Sequence, residues 1–235
     1  MLKLIQLEWK KNHIGKYVRN AVILATALCL FIFALAFLGI ANDPDTGMPD
    51  AAPGNNTISA PIELFSSMSF LVFTGVMLAA FIVSSYKNKT MALMFSYPIK
   101  RQKILASQML AVWIFNFTAL VLTKLLLYAC VLAGAQFMKS AFPLDFSMAS
   151  PTFYIQLVLK SVVTVTLSFL SLFIGMAAKS SKATIVSSFL LIFLTQASIG
   201  DYTLADNAVF PLILTLASLA FAILSVANAE TKDLM

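Results

Sequence analysis

The 235-residue chain is poor in charge, cysteine and histidine, and each scarcity excludes something. Charged residues make up only 11 per cent, where a soluble domain carries about a quarter. Apolar residues make up 60 per cent and the mean hydropathy is +0.90. A water-exposed globule of that composition would present large apolar patches and aggregate. Two cysteines are too few for a disulfide framework, which excludes a small secreted scaffold. The one histidine, His13, lies in a basic lead-in and reads as a surface side chain. A metal site needs several nitrogen, sulfur or carboxylate ligands converging, and the apolar stretches offer no such set. They also lack a histidine to serve as general base for an intramembrane nucleophile. There is no phosphate-binding loop of the form G-x-x-x-x-G-K-[ST]. The chain is therefore expected to be no enzyme and to hold no cofactor itself.

What is present is apolar sequence in long runs. A membrane helix needs about 20 mostly apolar residues, and six stretches qualify: 18–41, 62–86, 104–135, 153–178, 183–199 and 209–228. The expected fold is an all-α polytopic membrane protein with six transmembrane helices over residues 18–235. The first stretch is about twice the length of a signal-peptide core and has a long charged lead-in, so it is expected to be retained.

Charge sets the orientation, because lysine and arginine collect on the cytoplasmic side. Thirteen of the 16 basic residues fall before or at the very start of the first stretch (Arg19), between the second and third, between the fourth and fifth, or after the sixth. The alternate connections hold Asp43, Asp45, Asp50, Glu63, Asp145, Asp201 and Asp206, and of basic residues only Lys139. Both termini are thus expected in the cytoplasm. The net charge of +6 is topogenic; the lipid bilayer is the surrounding medium and no nucleic acid is expected as a partner.

Two cytoplasmic segments stand out. Over 1–17, Leu4, Ile5, Trp9 and Leu2 can share one helical face, with Lys3, Lys10 and Lys11 toward water. Such a helix lies in the interface plane with Trp9 at headgroup level; the alternative is a topogenic lead-in that happens to be helical. Between the second and third stretches, Asn88 or Thr90 can cap a short helix over 88–97. Met91, Met94 and Phe95 form its apolar face, and Pro98 ends it. A methionine-rich face presented by two membrane helices suits docking; the alternative is a re-entrant lip on the membrane surface.

Polar residues inside the apolar stretches are few. Asn116 and Gln196 fall near mid-membrane. Lys124 lies roughly 30 Å past Ile104 at 1.5 Å per residue, and Lys160 is near the outer end of its stretch. Both can snorkel to the outer headgroups or line an outer vestibule. Ser161, Thr164, Ser168, Ser171 and Gly175 recur at helical spacing, so they form one small-residue face. It serves close helix packing or one polar wall of a substrate path. The two cysteines differ in depth by roughly 20 Å when each is counted from the start of its apolar run. On that count Cys29 and Cys130 are too far apart to bridge.

The connection between the second and third stretches resembles the membrane subunits of ABC exporters of the type-2 class. The resemblance rests on Asn88, Lys89, Thr90, Leu93, Ser96, Tyr97, Pro98, Ile99, Arg101, Lys103, Ile104 and Leu105. Six spans, both termini inside and an N-terminal surface helix agree with it along the whole chain. The resemblance implies that 88–97 is a coupling helix docking on an ABC ATPase, and that 1–17 is a connecting helix. It implies two ATPase subunits per complex, carrying the ATP and Mg, and a second copy of this chain or a related permease. It implies export of a peptide, antibiotic or other amphipathic substrate across a bacterial plasma membrane. A regulatory or assembly membrane subunit and a secondary transporter are the competing classes. The inverted repeats and broken helices of a secondary transporter are not evident.

Overall fold

The computed structural model describes residues 2–37, 58–84, 101–137, 148–196, 198–199, 202–203 and 209–231. It is helical: α1 is Leu2–Lys11, α2 is Ile14–Phe37 and α3 is Ser59–Leu78, which runs on into a π-helical turn, Ala79–Val83. The long helix α4 is Arg101–Phe137, followed by α5, Pro151–Ala177, α6, Ser181–Gln196, and α7, Val209–Thr231. Four helices are long and apolar enough to cross a membrane: Ile14–Ala36, Ser59–Val83, Gln102–Ala135 and Pro151–Ala177. The apolar parts of α6 and α7 are shorter, at Ser181–Thr195 and Leu212–Val226.

The helices match the apolar stretches with shifted ends. The first begins at Ile14 rather than 18, because the basic residues Lys16 and Arg19 continue the helix instead of preceding it. The fifth stops at Gln196, short of the expected 199. Beyond it β1, Ser198–Ile199, pairs antiparallel with β2, Tyr202–Thr203, in a minimal ladder that the all-α reading did not include.

The chain forms two compact units, one comprising Gly15–Ser69 and Thr118–Ser161, the other Met1–Ile14, Phe70–Phe117 and Val162–Met235. The core of the first unit joins Leu28, Ile32 and Ala36 of α2, Ile62 of α3, Leu127, Tyr128 and Val131 of α4, and Leu157 of α5. The α2 residues recur every fourth position, so one stripe of the helix faces inward. Edge-on ring contacts, Phe31–Phe65 and Tyr128–Phe153, each with centroids 4.8 Å apart, close this core.

In the second unit Leu71, Leu167 and Leu191 of α3, α5 and α6 form a buried cluster. The π turn packs against α6, and Phe81, Ile82 and Val83 in it are all buried. A wider turn changes which residues face inward, which lets three consecutive side chains enter the core. A tight reversal joins α5 to α6. Lys179 takes a left-handed conformation (φ 49°), and the Lys179 and Ser180 amides bond back to Met176 and Gly175. That caps the helix end in the manner usually left to glycine.

The outward faces stay apolar. Leu30, Leu122, Phe193 and Ile223 are each more than 60 per cent exposed. Faces of that kind suit a hydrocarbon surrounding rather than water.

Candidate functional site

In the first unit a charged pair lies inside the helix packing. Lys124 on α4 places its Nζ 2.6 Å from Glu63 Oε2 on α3, and the lysine side chain has no exposed surface. Tyr128, one turn further along α4, donates its hydroxyl to Glu63 Oε1 at 3.2 Å. Positions 124 and 128 share one helix face, so α4 offers the carboxylate an ammonium and a phenol together. Lys160, exposed on α5, lies close enough to repel Lys124.

Lys124 therefore does not reach for the outer headgroups as its depth suggested. Its ammonium turns inward to a carboxylate. Glu63 is a helix residue rather than a member of the outer loop. Sequence reading missed Glu63 and Tyr128 as site residues. The available signal was an acidic residue just inside an apolar stretch, where ionisable groups pair with one another.

The second unit holds a polar anchor for α1. Ile5 and Glu8 are buried and Trp9 is half-buried, while Lys3, Lys10 and Lys11 are exposed. Trp9 Nε1 donates to the Ala111 carbonyl at 3.1 Å, and Gln108 Nε2 donates to Glu8 Oε1 at 3.3 Å. Of the expected amphipathic face, Leu4, Ile5 and Trp9 are turned inward and Glu8 joins them, while the Leu2 side chain lies outside the described residues. Trp9 is fastened to α4 rather than left to headgroups. Asn12 closes α1 by donating to the Glu8 carbonyl at 3.1 Å, and His13, exposed, adopts a φ of 50° as the helix ends.

The hydroxyl face of α5 is fully drawn into packing. Ser161, Ser168 and Ser171 have no exposed surface and Thr164 is buried. Ser161, Ser168 and Ser171 donate to their own helix, at Leu157, Val165 and Ser168 carbonyls, at 2.7, 2.6 and 2.7 Å. Within the second unit Gly75 on α3 meets Ser188 on α6 so closely that a Cβ there would lie 2.9 Å from the Ser188 Cβ. Gly175 meets Thr184 in the same way, at 2.8 Å from its Cβ. Ser187 donates to the Ser171 carbonyl across the seam at 3.4 Å. Small residues let helices approach in this manner, and hydroxyls bonded to their own backbone offer little to a passing solute.

Asn116 is fully buried, donating to the Val112 carbonyl at 2.9 Å and to Met77 Sδ at 3.3 Å. Its Oδ1 has no partner among the described residues. The side chain of Gln196 lies outside the described residues, as do Asn88, Thr90, Met91, Leu93, Met94, Phe95 and Pro98. Among the described residues no cluster of three or more His, Cys, Asp or Glu is placed to hold a metal.

The cysteine reading is overturned. Cys29 and Cys130 lie near enough to each other for the one thiol to act on the other. The error lay in counting both from one inner plane. Helix α4 is 37 residues long. At 1.5 Å each it spans roughly 56 Å, well beyond a hydrocarbon core of about 30 Å. Its start therefore need not be level with the start of α2, and equal counts along the two helices do not mean equal heights.

No protein-family model matches the chain, and no solved structure matches it. The chain is similar to the uncharacterized protein YcbO of Bacillus subtilis (strain 168), at 25% identity over 236 residues. The match covers 99% of this chain and all of YcbO. It is end to end, and it carries no function across.

Proposed function

We propose that the chain is the membrane-spanning permease subunit of an ATP-driven exporter of the ABC type-2 class. In this reading α2 to α7 make six spans, both termini are cytoplasmic, and the protein resides in a bacterial plasma membrane. A separate ATPase, two copies per complex, supplies ATP hydrolysis. A second copy of this chain or a related permease completes the pathway for a peptide, antibiotic or other amphipathic substrate.

The observation that carries the reading is the stretch from Asn88 to Leu105, whose residues follow the type-2 coupling pattern. The alternation of basic and acidic connections supports the topology. An amphipathic α1 bonded to α4 through Trp9 and Glu8 supports a connecting-helix role.

The test is co-purification of the ATPase with variants of the apolar anchors. Met94→Asp, or a joint change at Met91 and Phe95, is expected to abolish association while membrane insertion persists. Loss of one buried interface anchor costs about 2 kcal/mol, or roughly thirtyfold in affinity. Changes at Lys100 and Arg101 should do less, because rim charges contribute little. Undiminished ATPase co-purification and stimulation in the anchor variants would reduce 88–97 to a membrane lip and remove the main support for export.

A further inference from the structure

Helix α1 has two sides, and the contacts with α4 occupy one of them. Ile5 and Glu8 are buried and Trp9 is half-buried, with Trp9 and Glu8 hydrogen-bonded to α4. Lys3, Gln6, Leu7, Lys10 and Lys11 are exposed. Positions 3, 7 and 10 stand one above another on a helix, with 6 and 11 beside them, so the exposed residues make one continuous face. It carries three ammonium groups and no acid. Glu8, the acid of α1, is turned to α4 and meets this face through Lys11, at 3.8 Å. Between the lysines Leu7 is 61 per cent exposed. Asn12 and His13 alone separate α1 from α2. Lys11 therefore lies no more than about 11 Å from Ile14, the first residue of a helix long and apolar enough to cross a membrane. The basic face is tethered beside a bilayer surface.

We propose that this face of α1 binds the anionic phospholipid headgroups of the leaflet it borders, so that α1 is held between α4 and lipid. The attachment is electrostatic first, because the apolar side that would otherwise lie down in the bilayer is occupied by α4. Long lysine stems let the ammonium groups reach headgroup phosphates while covering apolar surface, and Leu7 can enter between headgroups among them. A lysine beside an anionic surface strengthens attachment about fivefold, so three acting together supply roughly a hundredfold. Lys11 contributes least, since Glu8 already draws on its charge. An acidic protein surface is the competing occupant. The tether to α2 and the exposed leucine amid the lysines favour lipid, because a leaflet lies beside Ile14 in every state of assembly. Through Trp9 and Glu8 the lipid contact bears on α4, so headgroup charge would help to set how firmly α1 is held there. The proposal rests on the membrane reading of α2 and not on the exporter class.

The test equilibrates the full chain with detergent micelles containing equal phosphatidylglycerol and phosphatidylcholine, removes the micelles, and counts both lipids retained per chain by mass spectrometry. The wild type should retain phosphatidylglycerol in about tenfold excess or more, and about 0.5 M salt should erase the excess by screening. Joint replacement Lys3→Gln, Lys10→Gln and Lys11→Gln should bring the ratio close to one, with helical content by circular dichroism unchanged. Arginine at the same three positions should keep the excess. Lys179→Gln with Lys182→Gln, at the exposed reversal between α5 and α6, should also keep it. An unchanged ratio in the glutamine triple variant would overturn the proposal. So would an equal loss in the Lys179 and Lys182 variant, which would show a diffuse effect of net charge rather than a face of α1. A triple variant that keeps its lipid ratio but loses a co-purifying acidic protein would assign the face to that protein instead. The lipid count involves no ATPase, so it can fail while the exporter reading stands, and the reverse.

Discussion

Glu63 and Lys124, 61 residues apart in the chain, meet at 2.6 Å with the lysine side chain wholly buried. A buried pair of this kind is asymmetric in its energetics. Removing one partner leaves an uncompensated charge and costs about 3–5 kcal/mol, whereas replacing both by apolar groups of similar volume is often neutral. Glu63 retains 17 per cent side-chain exposure, which places the expected cost near the lower end.

Lys124→Met and Glu63→Gln, each alone, should therefore lose about 3 kcal/mol of stability in detergent micelles. The double variant should lose clearly less than the sum. Thermal or denaturant unfolding of the four proteins measures the coupling. Strictly additive losses would mean that the pair does not form.

Two glycines should respond with opposite signs. Gly15, in α2, has no neighbour within 4 Å of an added Cβ, so Gly15→Ala should stabilise by about 0.5–1 kcal/mol through helix propensity. Gly75→Leu drives a side chain into Ser188 and should destabilise by about 1–3 kcal/mol. Unfolding midpoints read both, and a stabilised Gly75→Leu would refute the tight α3–α6 contact.

Limited trypsin digestion reads the anchoring of α1. Trp9→Ala removes the bond to Ala111 together with the packed ring. Cleavage at Lys10 and Lys11 should then quicken relative to the wild type. Gln108→Leu, which strips the Glu8 carboxylate of a donor worth about 1.5 kcal/mol or more, should act in the same direction. Unchanged cleavage in both variants would mean that α1 is held by other contacts.

Topology is open to labelling. Single cysteines at Asp50, Lys100, Asp145, Lys179 and Asp206, placed in a background lacking Cys29 and Cys130, should report outside, inside, outside, inside, outside. An inside signal from Asp206 would reduce the six-span reading to four spans plus membrane-associated segments.

Periodicity and hydropathy made the helices legible, because a helix buries a stripe set by local spacing and a span is set by the run of apolar residues. The α1 face, with Leu4, Ile5 and Trp9, could be read for the same reason. So could the small face of α5, whose Ser161, Thr164, Ser168 and Ser171 are all buried. Helix ends were less legible: Lys16 and Arg19 sit comfortably in the first turns of α2, and hydropathy marks where apolar residues start rather than where a helix does.

The sequence by itself determined that this chain is helical and apolar-faced, with long segments suited to a membrane and polar residues confined to few positions. Only the tertiary structure decided which of those polar residues meet. Glu63 pairs with Lys124 and Tyr128, Glu8 takes a donor from Gln108, and Cys29 has Cys130 as a neighbour. Each of these contacts depends on the vertical offset between neighbouring helices. That offset is set by how side chains interlock across the whole length of the packed pair. No window of local sequence contains it, so pairs with depths that looked incompatible could meet, and a lysine expected at the headgroups could be buried.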